Sequence, residues 1–309
     1  MTITSFTGTQ LIPVNGTGPE DVVVDDDGQV YAGLDDGRII RITGGGNRID
    51  TVARVAGRPL GIELYGADEL VVCASDHGLL AVTIRTGAVR TLVDNVAGSP
   101  ILGCNNAAVG ADGTVFFSDS SQRFPIPEFR SDMIERTGTG RVFRRDPDGT
   151  VTEVASGLQF ANGVALAQDE SFVVIAETTT CRLHRLWLSG ERAGRREVFA
   201  DGLSGYPDNA STGSDGLIWV AIPSPAVSSL PLVQRMPAAA RSLVRRLPTS
   251  LQPSPGREVN VVAFDATGGV VRRRGGTVEG FTMLTGVRER GGTLYCGSLT
   301  EGAILTTDR

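Results

Sequence analysis

The chain has 309 residues, 40% hydrophobic and 21% charged, with a net charge of −6 and a pI near 5.1. That acidity excludes a basic nucleic-acid-binding surface, and no apolar run reaches about 18 residues, so no membrane span is expected. All 29 basic side chains are Arg, and four Cys without CxxC spacing give no disulfide framework.

Met1 to Gln10 lacks a basic segment followed by an apolar run, so no signal peptide is expected and the reading is cytoplasmic. Asn15-Gly16-Thr17 then reads as a turn. The first repeating unit begins at Asp21. Asp21-Val22-Val23-Val24 is a short strand and Asp25-Asp26-Asp27-Gly28 a turn. Gln29 to Gly33 is a second strand, Leu34 to Gly37 a turn, Arg38 to Thr43 a third strand and Thr51 to Val55 a fourth. Val109 to Val115 and Leu166 to Phe172 reuse the scheme. The recurring strand cores are Val30-Tyr31, Leu70-Val71, Val115-Phe116, Phe172-Val173, Ile218-Trp219 and Leu294-Tyr295. Spacings of 40, 45, 57, 46 and 76 residues between these cores mark a four-strand unit repeated six times. The fold class is therefore all-β, a six-bladed β-propeller with lid insertions in blades 3 and 5, expected as one domain over residues 1–309. Ser5 to Val14 precedes the first unit and is expected to supply the outer strand of the last blade, removing an open sheet edge.

Counting back ten residues from each strand core gives Glu20, Leu60, Asn105, Asn162, Asp208 and Leu284. If the units are blades around an axis, four oxygen-bearing side chains converge there. Two carboxylates and two amides suit a hard divalent cation, calcium before zinc, because no Cys/His set with zinc spacing exists. The competing reading is that these residues cap turns or pair with Arg. One shared register for all four, with Leu in the other two blades, favours the cation.

Strand direction places the turns at Asp35-Asp36, Ser75 to His77, Asp119 to Ser121, Glu177 to Thr179, Pro223-Ser224 and Thr300-Glu301 around the same mouth. The two long spacings arise from insertions at these turns, about Ser120 to Gly140 and about Pro223 to Arg257. Long loops in compact domains commonly serve as lids. Within the second, Pro237 to Leu247 has helical spacing, with Ala240, Leu243, Val244 and Leu247 on one side and Arg241, Arg245 and Arg246 on the other. A cap packed on its own domain is favoured over a membrane-surface helix.

Phe117-Ser118-Asp119-Ser120-Ser121, Phe160 to Leu166, Ala176 to Thr180 and Gly205-Tyr206-Pro207-Asp208-Asn209 resemble strictosidine-synthase-like proteins. These belong with the gluconolactonase, paraoxonase and phosphotriesterase-like propellers. The resemblance continues more weakly from Gly18-Pro19-Glu20-Asp21 to Leu294 through Ser298. It implies a catalytic calcium held by Glu20, Asn105, Asn162 and Asp208, the four residues that the register count selects. Asn209 resembles a further polar neighbour of the site. Strictosidine synthase itself uses a Glu from the last blade; Phe281 to Val287 contains none, and Thr285 or Gly286 stands near that place. The synthase reaction is therefore not expected.

The expected activity is calcium-dependent hydrolysis of a small-molecule lactone or aryl ester, with another divalent cation as the alternative metal. Asp208 is the expected base or nucleophile, and Glu20 is counted with it in the catalytic set. His77 on the predicted mouth is an accessory base candidate. His184, inside a strand run, reads as structural. Cys104 reads as a small buried hydrophobe. No GxSxG elbow occurs, and Gly138-Thr139-Gly140 reads as a turn. A phosphotriesterase-like activity and a non-catalytic binding propeller are the alternatives.

Overall fold

The computed structural model describes residues 3–248, 252 and 256–309. Six four-stranded antiparallel sheets follow one another along the chain. Five are contiguous in sequence, over residues 22–54, 59–93, 104–158, 161–200 and 210–276. The sixth combines Leu284–Arg290, Thr293–Ser298 and Ala303–Asp308 with the N-terminal strand Gln10–Pro13. Innermost strands contact their neighbours in a closed cycle, the sixth meeting the first. The fold is a six-bladed β-propeller. Its ring is closed as expected: Gln10 pairs with Thr306 and Pro13 with Ala303, so the outer edge of the last blade is covered.

Burial explains which sequence forms which strand. The second strand of each blade is sandwiched between neighbouring blades, so both of its faces must be apolar. Val30–Gly33, Val115–Asp119, Phe172–Glu177 and Ile218–Ile222 are buried at every position. Outer strands such as Arg48–Arg54 meet solvent and are largely polar. Each wedge between blades has its own core. Val23, Tyr31 and Ile39 pack with Leu70 and Val72 between the first and second blades. Phe199 meets Phe264 at 5.9 Å between the fourth and fifth. Val14 and Ile304 close the sixth against Val22 and Val30 of the first.

The hairpin turns follow the expected chemistry. Asp25 Oδ1 accepts the backbone N–H groups of Asp27 and Gln29, and Gly28 takes φ +75°. The fourth strand of the first blade starts at Arg48 rather than Thr51. Gly44–Gly46 reverses the chain in one tight turn, with Gly45 at φ 66°, which brings Arg48 opposite Thr43.

The two long connections carry the helices. Residues 120–139 of the third blade contain α1 (Phe129–Glu135), and residues 223–258 of the fifth contain α2 (Leu230–Gln234) and α3 (Ala238–Arg245). Part of the second connection, 249–251 and 253–255, lies outside the described residues. Met133 and Ile134 of α1 pack with Tyr206 and Leu230, flanked by Val227, Val233 and Val244. Asp132 fixes α1 from below: it is fully buried and its Oδ2 accepts the hydroxyls of Ser121 and Thr137.

The face of α3 departs from the expectation in part. Val244 packs inward as expected, but Leu243 and Leu247 are exposed, and Arg241 and Arg245 turn inward to Glu135 of α1, at 3.5 and 3.1 Å. The nearly buried Glu135 carboxylate draws the two arginines toward α1. Among the described residues no helix is long and apolar enough to cross a membrane.

Candidate functional site

One register position of the innermost strands supplies the polar part of a single cavity of about 110 Å³. Glu20, Leu60, Asn105, Asn162, Asp208 and Thr285 all line it, one from each blade. The sixth member corrects the expected Leu284, which is fully buried in the wedge core between the fifth and sixth blades. The last blade's first hairpin closes from Arg290 to Thr293 around Gly291-Gly292. The corresponding turn in the third blade runs from Val109 to Val115 with more residues. The shorter turn moves the ten-back count off register.

Neighbouring groups hold the ring in place. Asn105 Nδ2 donates to Ser120 Oγ at 2.9 Å, and Asn209 Nδ2 donates to Glu20 Oε2 at 3.0 Å. Thr285 Oγ1 donates to the Glu20 carbonyl at 2.8 Å. The next residue along each strand forms a second layer, alternating polar and glycine: Asp21, Gly61, Asn106, Gly163, Asn209 and Gly286. Asn106 Nδ2 donates to Asp21 Oδ2 at 3.1 Å, and Val164 N–H donates to Asn106 Oδ1 at 2.8 Å. A Cβ at Gly286 would stand 2.7 Å from Asp21 Oδ1, so glycine there is what lets the two strands approach.

Electrostatics make this ring unusual. Burial pushes the Glu20 carboxyl well above its ordinary range. Repulsion from Asp208 and Asp21 adds to the shift, against a hydrogen bond from Asn209 and the charge of Arg58. Asp208 is pushed up to about 7, chiefly by burial, against the Asn162 amide and the Asn209 N–H. Asp21 is raised to about 6 by burial, opposed by Arg288. Asn105 Oδ1, Asn162 Oδ1 and Asn209 Oδ1 are buried without a hydrogen-bond partner. A buried unsatisfied acceptor costs about 1–3 kcal/mol. Orphaned amide oxygens beside two carboxylates that resist ionisation form a donor set that fits a hard divalent cation. Among the described residues no group of three or more His, Cys, Asp or Glu is placed to hold a metal.

Above the ring the cavity is apolar. Phe160, Tyr206 and Met283 stand two residues before the ring position in blades 4, 5 and 6, and all three line the cavity. Phe160 and Met283 are held at φ 65° and 50°, a left-handed conformation that costs such residues about 1–3 kcal/mol. The Tyr206 hydroxyl accepts the Val227 N–H at 2.9 Å, tying the mouth to the fifth-blade connection. Phe129, Arg130, Met133 and Ile134 from the third blade and Val227 and Leu230 from the fifth complete the walls.

Of the expected catalytic residues, Glu20 and Asp208 are brought together and His77 is not. His77 ends the short turn Ser75–His77, is exposed, pairs with Asp76 at 3.0 Å, and lies outside the cavity lining. The second blade reaches the cavity through Leu60 instead. His184 has a structural partner: its Nε2 lies 2.8 Å from Glu177 Oε2. Burial would raise the Glu177 carboxyl, but hydrogen bonds from His184, the Gln159 N–H and Thr180 hold it at about 2. Cys104 is buried against Cys73, and burial pushes its thiol well up, away from thiolate chemistry.

Residues 105–191 match the strictosidine synthase family model, and residues 5–42 match the strictosidine synthase-like N-terminal model. Protein strictosidine synthase-like 10 of Arabidopsis thaliana is 35% identical over 272 residues, covering 80% of this chain and 72% of that protein. The adipocyte plasma membrane-associated protein of Gallus gallus is 32% identical over 310 residues, covering 91% of this chain and 73% of that protein. Among solved structures, a gluconolactonase from Xanthomonas campestris superposes with a TM-score of 0.69 at 16% identity, covering 98% of this chain and 91% of that one. Regucalcin, a calcium-binding protein from Agrobacterium tumefaciens, gives 0.69 at 16% identity, covering 99% and 95%. At such identities these two show the fold alone.

Proposed function

This chain belongs to the strictosidine synthase-like family, and we propose that it is a divalent-cation-dependent hydrolase of lactones or aryl esters. The observation that carries this reading is the ring of Glu20, Asn105, Asn162 and Asp208 at the polar end of a mainly apolar cavity. Its orphaned amide oxygens and its two carboxylates match the donors a hard cation takes, which supports the reading. Calcium suits an all-oxygen set that is half carboxylate and half amide. That a gluconolactonase and a calcium-binding regucalcin share the fold supports the choice.

When bound, the cation supplies charge neutralisation and polarisation of a carbonyl oxygen. Glu20, Asn105 and Asn162 would hold it. Asp208 is the ring carboxylate with appreciable exposure toward the cavity, so it is the group placed to take a proton from water or to attack the carbonyl. Phe160, Tyr206 and Met283 exclude bulk water and seat the apolar part of the substrate. The two helical connections act as lids over the site and set specificity, because their side chains form its walls. The strictosidine synthase reaction is not proposed, since the last blade contributes Thr285 to the ring and no carboxylate.

A panel of lactones and aryl esters, run with metal analysis on the parent, Glu20→Gln and Asp208→Asn, tests the reading. Both variants are expected to lose turnover by about a hundredfold or more, the scale of removing a general base or its electrostatic support. Unchanged rates in both variants would rule out this site. Ligand affinity retained in a parent without turnover would assign the cavity to binding alone.

A further inference from the structure

Arg130 is the one cation that lines the cavity among the described residues. It is half-buried on α1 and, among the described residues, makes no hydrogen bond or ion pair, its guanidinium resting 5.8 Å from the Phe129 ring centroid. Four other arginines have partners. Arg241 and Arg245 pair with Glu135, Arg141 pairs with Asp119 at 2.6 Å, and Arg58 donates to the Leu299 carbonyl at 2.7 Å. An unpaired guanidinium among apolar walls is exposed to little competition from water, so an anion arriving there is held more strongly than at an open surface. The charge balance points the same way. A divalent cation on the ring would match Glu20 and Asp208, leaving Arg130 as the uncompensated charge of the cavity.

We infer that Arg130 is a specificity residue for an anionic group on the substrate, which is an apolar ester or lactone carrying a carboxylate away from the scissile bond. The inference deepens the hydrolase reading and rests on it for the word substrate; the binding preference stands without it. The guanidinium fork donates two parallel N–H···O bonds to a carboxylate, and the apolar walls take the chain between the two charged ends.

Two matched esters read this directly: 4-nitrophenyl octanoate and the 4-nitrophenyl monoester of octanedioic acid. The ratio of kcat/KM for the anionic over the neutral ester is expected to be roughly tenfold in the parent, as for a charge-assisted hydrogen bond. It should fall to about one in Arg130→Gln, be partly kept in Arg130→Lys, and shrink with added salt. A parent without preference, or a preference that survives in Arg130→Gln, overturns the inference. Binding of two non-hydrolysable anilides, the monoanilide of octanedioic acid and octananilide, measured by calorimetry on the calcium-loaded protein, separates the two readings. If neither ester is hydrolysed, the aryl-ester half of the hydrolase reading fails. The anilide pair then decides the role of Arg130 by the same ratio in parent and variants.

Discussion

Two carboxylates that resist ionisation at neutral pH dominate the behaviour of individual residues. Asp208 titrates near 3.8 in an unfolded chain and is held at about 7 in the fold by burial. Between about pH 4 and 7 the unfolded chain therefore releases this proton while the folded one retains it. The chelated protein should lose stability as pH rises through that window. Asp208→Asn removes the effect, so chelated parent and variant melting curves should converge at pH 4 and diverge by pH 8, with the variant the more stable. Calcium should raise the melting temperature of the parent at pH 8 and raise that of Asp208→Asn by less, since Glu20, Asn105 and Asn162 remain. Equal pH dependence in the two chelated proteins would contradict this account. The four oxygen donors are legible in the sequence because one register position repeats in every blade, whatever lies between. Thr285 is displaced by one position by the Gly291-Gly292 turn, a signal present in the sequence as a shortened hairpin. Arg130 carries no such signal, since only the folded connection brings α1 to the cavity; Phe160 stands two residues before the ring position, a register the same count reaches. His77 fails for the opposite reason: turn counting places it on the mouth, and direction along the turn sends it outward.

At the scale of elements, α1 depends on Asp132. Its carboxylate is buried and accepts two hydroxyls that tie the helix to the third blade. Asp132→Ala leaves Ser121 and Thr137 without their acceptor and should cost about 1–3 kcal/mol of stability. Because α1 supplies Phe129, Met133 and Ile134 to the cavity, the same change should raise KM more than it lowers kcat. An unaltered KM would detach α1 from substrate binding. Replacing residues 224–257 by a short turn removes α2 and α3. The protein should still bind calcium, because no ring residue lies there, while its ranking of lactones changes. An identical ranking in a folded, metal-binding deletion would withdraw the lid role. The helix was legible from its spacing, its orientation only in part: Glu135, 106 and 110 residues before Arg241 and Arg245, draws both arginines inward.

For the whole molecule, closure of the ring determines whether the central site can exist. The six innermost strands meet in a cycle, so the ring residues keep their mutual positions only while the sixth blade is completed. Gln10–Pro13 completes it, and the N-terminal segment is further held by Asp308 N–H and Thr307 Oγ1, both donating to the Thr7 carbonyl. Removing residues 1–13 should expose the edge of Ala303–Asp308, lower the melting temperature and promote association detectable by light scattering. A monomeric truncation with the parent's melting temperature would show that closure does not carry stability. The repeat period made this architecture readable, because each blade is one supersecondary unit that buries its faces only against its neighbours. One cation joins the fold to its chemistry. The initial rate of aryl-ester and lactone hydrolysis by protein verified metal-free after exhaustive chelation, before and after calcium is restored, tests that role. Hydrolysis is expected to be lost and to recover on adding calcium; full activity in the metal-free protein would exclude the cation from the reaction.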